Sequence, residues 1–130
     1  MQVAAISISP GAVAILRTTR EILSDPARHT QKAVARDKFG VEVGPTDPRA
    51  VCWCFLGGMS KAGAKVDTRD PFDKMEALAR VERTITLLTD GLVSSLIAVN
   101  EDTVEIPGAD GETLTGHAAV LRVLDVALEV

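Results

Sequence analysis

The stretch that decides the fold is Thr46-Asp-Pro-Arg-Ala-Val-Cys-Trp-Cys-Phe-Leu-Gly-Gly58, which holds the single tryptophan and both cysteines of the chain. Asp47-Pro48 is typical of a helix start, because proline is tolerated in the first turn and a short acceptor side chain satisfies a free amide there. From Ala50 to Leu56 the two thiols are the only polar groups besides the backbone. A helix that is apolar all round is normally buried. We therefore predict a central, buried helix that starts at Asp47-Pro48 and ends near Gly63.

Three further helices are predicted on either side of this segment. Ser9-Pro10 predicts a helix through about Ser24, and Asp70-Pro71 predicts one that ends at Asp90-Gly91. A last helix is expected from about Thr113 to Val130. Its apolar face is predicted to carry Leu114, Ala118, Leu121, Leu124 and Leu128. Before the first helix, the alternation over residues 3–9 favours a short strand or an extended arm.

Strands are predicted in the remaining segments. Residues 33–43 read as a β-hairpin, with Asp37-Lys38-Phe39-Gly40 as its turn. The apolar run 92–99 is short enough for a buried strand that pairs with residues 104–106, although a helix also fits its composition. The sum is one domain over residues 1–130, of class α+β and dominated by helices. The four helices, of which the tryptophan-segment helix is the buried central one, pack together beside the hairpin and one or two further short strands.

Composition narrows the functional classes. The chain has 130 residues, a formal net charge of −4 and 3% aromatic residues without tyrosine. The acidic balance argues against binding to nucleic acid or to an anionic membrane, which lysine and arginine drive. The apolar stretch before residue 17 is shorter than the roughly 20 residues of a membrane span and lacks the basic start of a signal peptide. Two cysteines one residue apart do not pair on a helix, so we expect a cytoplasmic protein with reduced thiols.

Several segments together resemble a family of small bacterial and phage proteins known only as a domain of unknown function. The most specific part is Asp47-Pro48-Arg49-Ala50-Val51, followed by Trp53-Cys54 and Leu56-Gly57. The other parts are Glu21-Ile22-Leu23-Ser24-Asp25-Pro26, Ala35-Arg36-Asp37 with Gly40, and an Asn-Asp-type loop before the last helix. His29 stands where such proteins tend to carry tryptophan, and Glu101 is inserted between Asn100 and Asp102. The resemblance implies the same fold class and a bacterial or phage origin, and it supplies no activity that could be carried over to this chain.

Cys54 is the one candidate nucleophile that we consider. His29 or His117 would act as its base, and Asp102 would orient the imidazole. The alternative is that both cysteines are small, inert side chains in a buried helix. We favour this alternative, because no sequence signal places either histidine beside Cys54. For His117 we expect a packed, hydrogen-bonded position in the last helix.

No cofactor or metal site is predicted. The Cys-x-Cys pair diverges on a helix and two isolated histidines do not complete a set of three or four ligands. The glycines after Leu56, together with Lys65, lack the spacing and the serine or threonine of a phosphate-binding loop.

Two charged loops are the candidate binding sites. Arg36 and Asp37 lie at the hairpin, and Asn100, Glu101 and Asp102 follow the apolar run. Charged loops between rigid elements are common places for binding. The alternative is that Asp37 starts a turn and Asn100 ends a strand through bonds to its own backbone.

The function that we predict is a non-enzymatic interaction module that binds a larger macromolecular partner, with a protein as the expected partner. An inhibitor of a host defence complex is one version of it, in which acidic residues meet a basic surface. The first alternative is a small cysteine-dependent enzyme or small-molecule binder that uses Cys54 with a histidine. The second is self-association through Trp53 or a helix face.

Overall fold

The computed structural model describes residues 8–66, 68 and 70–129. Within them the chain forms five α-helices, one 3₁₀ turn at Pro26–Arg28 and five two-residue strands. The helices are α1 (Pro10–Ile22), α2 (Phe55–Lys65), α3 (Phe72–Leu88), α4 (Leu96–Asn100) and α5 (Gly116–Ala127). The strands are β1 (Ala35–Arg36), β2 (Glu42–Val43), β3 (Cys52–Trp53), β4 (Ile106–Pro107) and β5 (Thr113–Leu114). The class is α+β and mainly helical, as the sequence predicts.

The helices build the core, and α1 lies at its centre. It contacts α2, α3 and α5, and its buried face carries Ala12, Ile15, Leu16 and Ile22. The strands form two small antiparallel sheets, one in the order β2-β1-β3 and one that joins β4 to β5. None of the described helices is long and apolar enough to cross a membrane.

The prediction for the tryptophan segment is wrong in its first half. Cys52 and Trp53 form β3, where they pair with β1, and α2 begins only at Phe55. Asp47 makes a tight turn instead of a helix start, because its Oδ1 accepts the N–H of Arg49 and its carbonyl accepts the N–H of Ala50. The same residues that start a helix also start turns, and pairing with β1 decides between the two. The helix then runs to Lys65, beyond Gly63.

Two of the local predictions are confirmed. Ser9 caps α1 by accepting the N–H of Ala12 at 3.1 Å, and the helix ends at Ile22. The hairpin forms as expected, with β1 against β2 and Gly40 at a φ of 82°. In both cases the residues that form the element lie within a few positions of each other in the sequence.

In the second half of the chain one open alternative is decided and two predictions need correction. The run 92–99 ends in a helix, because Ser95 caps α4 by accepting the N–H of Ala98. Ile106 consequently pairs with Leu114, and β5 delays the start of α5 to Gly116. The buried face of α5 differs from the predicted one and consists of Gly116, Ala119, Val120, Val123, Leu124, Val126 and Ala127. Ala118 is exposed.

The predicted arm at residues 3–9 lies almost wholly outside the described residues.

Candidate functional site

The side chain of Asn100 joins three segments that are distant in sequence. Its Oδ1 accepts the N–H of Phe55 at 2.9 Å and Nε2–H of His29 at 2.7 Å. Its Nδ2 donates to the carbonyl of Thr30 at 3.2 Å and to Oε2 of Glu101 at 2.7 Å. An amide group has two acceptor and two donor positions, so all four are in use on a residue that is 1% exposed. Asn100 therefore fixes the start of α2 and residues 29–30 against the end of α4.

These partners also define the protonation of His29. Because Phe55 N–H can only donate and the Thr30 carbonyl can only accept, the orientation of the Asn100 amide is determined. Nε2 of His29 must then carry the proton that it donates to Oδ1. Burial lowers the pKa of His29, and the neighbouring His117 lowers it further against the opposing effect of the Asn100 hydrogen bond. His29 is accordingly neutral at pH 7.

His117 lies beside His29. The two ring centroids are 5.3 Å apart, with the ring planes at 46°. Nε2 of His117 lies 2.6 Å from the carbonyl oxygen of Leu23 at the end of α1. This hydrogen bond and the half-buried position match the packed histidine that the sequence predicts.

Cys54 caps a helix and lines a cleft. Its Sγ accepts the N–H of Gly57 at 3.3 Å as the N-cap of α2. Burial raises the pKa of the thiol and the Glu101 carboxylate adds to the rise, although backbone N–H groups of α2 act in the opposite direction. No hydrogen bond among the described residues joins Cys54 to His29 or His117. The interpretation of Cys54 as a side chain inside a buried helix needs correction, since Cys54 precedes α2 and is only partly buried. No hydrogen-bonded thiol–imidazole pair forms among the described residues either.

Cys52 lies in β3, two residues before Cys54, and both thiols are free. Its Sγ lies 3.9 Å from the carbonyl oxygen of Arg36. The argument that the two cysteines diverge on a helix does not apply, because Cys52 is on a strand and Cys54 precedes the helix. Within the described ranges no group of three or more His, Cys, Asp or Glu side chains is placed to hold a metal ion.

The cleft lies between residues 32–34, the start of α2 and α4, and has a volume of about 330 Å³. Five of its lining side chains are apolar and four are polar. The apolar ones are Ala33, Val34, Leu56, Leu96 and Ile97, and the polar ones are Lys32, Cys54, Asn100 and Glu101. This size and this mixture of apolar walls with a few polar groups are typical of ligand-binding pockets.

Glu101 is the fixed anionic group of this cleft. Its Oε2 accepts the Asn100 amide at 2.7 Å and the backbone N–H of Lys32 at 2.9 Å. The adjacent Asp102 accepts Nε2 of Gln31 at 3.0 Å, and the same Nε2 donates to the Asn100 carbonyl at 2.8 Å. The loop of residues 100–102 is thereby tied to residues 31–32.

The structure brings some of the predicted site residues together and separates others. Cys54, Asn100 and Glu101 share the cleft, and His29 lies directly behind it on Asn100. The prediction that Asn100 ends a strand is wrong, because it ends α4 and binds other segments. Arg36 and Asp37 hold the hairpin: Arg36 donates to the Thr30 hydroxyl and two carbonyls, and Asp37 accepts two turn amides.

Sequence reasoning missed the apolar wall of the cleft. Leu56 is treated above as part of a buried helix and Ile97 as part of a buried strand, yet both are exposed. The one signal that pointed to Ile97 is the helical alternative for residues 92–99. Lys32 had no signal, since its role follows from a φ of 63° that turns its N–H to Glu101.

Comparison with known proteins identifies a family but no activity. The profile of DUF6197, a family of unknown function, matches residues 9–130. No curated protein matches the chain. No solved structure matches it either.

Proposed function

The chain belongs to the family of unknown function DUF6197, and we propose that it is a non-enzymatic binding module that holds a group of a larger macromolecular partner in the cleft beside α4. The family match agrees with the resemblance drawn from the sequence and brings no activity with it. The single observation that supports the proposal is the form of the cleft, which has apolar walls, a fixed polar floor and an exposed apolar rim.

The rim favours a macromolecule over a small ligand. Ile97 is 62% exposed, Val34 43% and Leu56 39%, so apolar surface continues outward from the cleft. A small molecule inside 330 Å³ would leave this rim in water, whereas a protein surface would cover it. Exposed apolar patches of this kind mark interaction sites on monomeric proteins.

The proposal is tested by partner capture with matched variants. Ile97→Gln removes apolar rim surface at the second residue of α4, where a polar side chain is compatible with the helix. Phe72→Gln is the control, because Phe72 is equally exposed but lies at the start of α3, away from the cleft. We expect a stoichiometric partner to be retained from a host lysate by wild type and Phe72→Gln, and lost by Ile97→Gln.

Hydrogen exchange of the captured complex localises the contact. Backbone amides of residues 96–101 and of the first turn of α2 are expected to gain protection when the partner is bound. A partner that survives Ile97→Gln and protects other segments would contradict the assignment to the cleft. Identification of that partner by mass also decides whether an inhibitor of a host defence complex is the correct version.

The second candidate is a small cysteine-dependent enzyme or small-molecule binder. The observation that favours it is the position of Cys54 on the cleft, where a bound ligand would contact Sγ. Against catalysis stand the raised pKa of the Cys54 thiol and the commitment of His29 to Asn100. A reactive cysteine needs thiolate at neutral pH, and this environment favours the thiol.

Brief alkylation of the native protein separates these candidates. Cys52→Ser leaves Cys54 as the one thiol to be followed by intact mass. We expect Cys54 to react more slowly in the native protein than after addition of denaturant. Native labelling faster than that of the denatured chain would support the enzyme and contradict the binding module.

Self-association through Trp53 does not fit the structure. Trp53 is 8% exposed and its Nε1–H donates to the Pro45 carbonyl at 2.8 Å, so it lies in the core. Self-association through a helix face stays a prediction, which light scattering over a dilution series tests.

A further inference from the structure

We infer that the group held in the cleft is a basic side chain of the partner, an arginine or a lysine, whose aliphatic stem lies on the apolar walls and whose cationic head binds Glu101. This inference rests on the proposed function and specifies the chemistry of the partner at the same site. Three features of the described residues carry it: an acceptor that is still available, walls of matching polarity, and the local charge.

The available acceptor is Oε1 of Glu101. Oε2 of the same carboxylate accepts two hydrogen bonds, from Asn100 and from Lys32 N–H. No described residue donates to Oε1, and no described cation lies within ion-pair distance of Glu101. The carboxylate is therefore fixed in orientation by one oxygen and leaves the other for a ligand. A fixed, charged acceptor binds a donor more strongly than a mobile one, because less side-chain entropy is lost.

The walls fit the stem of a long basic side chain. Val34, Leu56, Leu96 and Ile97 present aliphatic groups on both sides of the cleft. Arginine and lysine bury their methylene stems on such surface while the head stays with polar groups. A purely apolar occupant would cover the Glu101 carboxylate without a partner, which costs free energy. A compact cation would leave the walls unused.

The local charge also favours a cation. Glu101 and Asp102 carry two carboxylates at the end of α4, against one ammonium group on Lys32. Lys32 is exposed, and its long side chain can extend into water when another cation enters. Glu101 has no such freedom, since Asn100 and the Lys32 backbone hold it. An acidic occupant on Lys32 is the opposite arrangement, and the experiment includes it as an outcome.

The test is an NMR titration of the full chain with three blocked amino acids of similar size. The probes are the N-acetyl N-methylamides of arginine, norleucine and glutamate, followed through the backbone amides of Lys32, Phe55 and Glu101. We expect the arginine probe to bind roughly tenfold more tightly than the norleucine probe, the ratio that corresponds to one charge-assisted hydrogen bond in a half-open cleft. The preference should shrink as salt is added.

Glu101→Gln is the decisive variant. The amide oxygen of Gln can keep the hydrogen bonds from Asn100 and Lys32, whereas its NH₂ then takes the place of Oε1 and repels a donor. The arginine preference should disappear, while norleucine still binds. Glu105→Gln is the matched control, because Glu105 is exposed and does not line this cleft. Lys32→Gln should strengthen arginine binding, and this second variant tests the inference even if Glu101→Gln fails to fold.

The outcomes separate the inference from the function that it refines. Equal binding of the arginine and norleucine probes overturns the basic group and leaves an apolar-binding cleft. Tighter binding of the glutamate probe overturns it in favour of an acidic partner on Lys32. If none of the probes shifts the three amide signals, the inference of a basic group is overturned as well. The capture experiment with Ile97→Gln then tests the proposed function independently.

Discussion

The Asn100 cluster (Asn100 with His29, Thr30, Phe55 and Glu101) and the Arg36–Asp37 hairpin both form hydrogen bonds within the protein. They differ in burial and in how far apart in sequence the bonded residues lie. Asn100 joins residues that lie 45 to 71 positions away and is buried. The Asp37 carboxylate accepts from the N–H groups of Phe39 and Val41, at the exposed turn. The first cluster joins segments that are distant in sequence, whereas the Asp37 side chain shapes a single turn.

The difference teaches where the fold depends on one side chain. A buried polar group that loses its partner costs more than an exposed one, because water cannot replace the hydrogen bond. The cleft is formed by the same segments that Asn100 joins, so its shape depends on this cluster. The hairpin turn at Asp37 is expected to tolerate change without any effect on the cleft.

The largest effect is expected for Asn100→Ala. The substitution leaves the N–H of Phe55 and the carbonyl of Thr30 without their partner and removes a support of Glu101. We expect the free energy of unfolding in urea to fall by about 3 kcal/mol or more. Gln31→Ala is the control, since Gln31 donates to the same loop from a more exposed position. A loss below 1 kcal/mol, on the scale of a typical single hydrogen bond, would show that the fold does not depend on the Asn100 cluster.

The next largest effect is expected for Gly57→Ala, which tests the close approach of α2 to Val34, the residue before β1. A Cβ at Gly57 would overlap the carbonyl oxygen of Val34, a backbone atom that cannot move alone. We expect a loss of about 1–3 kcal/mol from overpacking, together with a changed cleft, measured by urea unfolding and by NMR shifts of cleft amides.

Gly63→Ala in the same helix is the matched control. Its added Cβ would meet only the flexible end of Lys74 at 3.2 Å, and alanine favours a helix by up to about 1 kcal/mol. If both variants had the same stability, the close approach at Gly57 would not matter.

The parts of the fold that the sequence predicts are those with nearby partners. Ser9 caps α1 three residues away, and Asp37 and Gly40 build the hairpin turn among themselves. The helix predicted to start at Asp47-Pro48 is wrong, because Cys52 pairs with Arg36, 16 residues earlier. This pairing overrides the local helix signal. A strand of two residues has no periodicity of its own that could reveal it.

The sequence identifies several residues of the candidate site, but it does not show that they lie together on one cleft. Cys54, Asn100 and Glu101 were each singled out for their chemistry, in two separate hypotheses, and the structure places them on one cleft. The cleft itself was not predictable, because exposed Leu56 and Ile97 look like core residues in a sequence. The contact of His29 with Asn100 spans 71 residues, a distance at which one sequence carries no pairing information.

A smaller effect on the free energy of unfolding is expected from a change of pH, through the titration of His29 in the Asn100 cluster. The pKa of His29 is lowered in the folded protein, with burial as the main cause, so the unfolded chain binds the proton more readily. The stabilising contribution of neutral His29 is then complete above the unfolded pKa of about 6.5 and is lost as the pH falls through that value toward the folded pKa. The free energy of unfolding should therefore decrease between about pH 7 and 5.

His29→Gln is the variant that assigns this pH dependence. The Nε2 of glutamine can donate to Asn100 as the imidazole does, and it does not titrate. We expect the decrease to become smaller in His29→Gln than in wild type. His117→Gln serves as the comparison for the second ring of the pair. An unchanged pH profile in His29→Gln would mean that carboxylates elsewhere cause the decrease.

The smallest effect is expected for Asp37→Ala in the hairpin. The change removes two hydrogen bonds, from Phe39 N–H and Val41 N–H, both at the exposed turn where water replaces the carboxylate. Arg36 still donates to the Gly40 carbonyl, and Gly40 still has its φ of 82°. We expect a loss of about 0.5–1 kcal/mol in urea unfolding and unchanged shifts at the Lys32 and Phe55 amides of the cleft. A loss as large as that of Asn100→Ala would remove the distinction between the two loops, because an exposed local turn would then stabilise the fold as much as the buried cluster does.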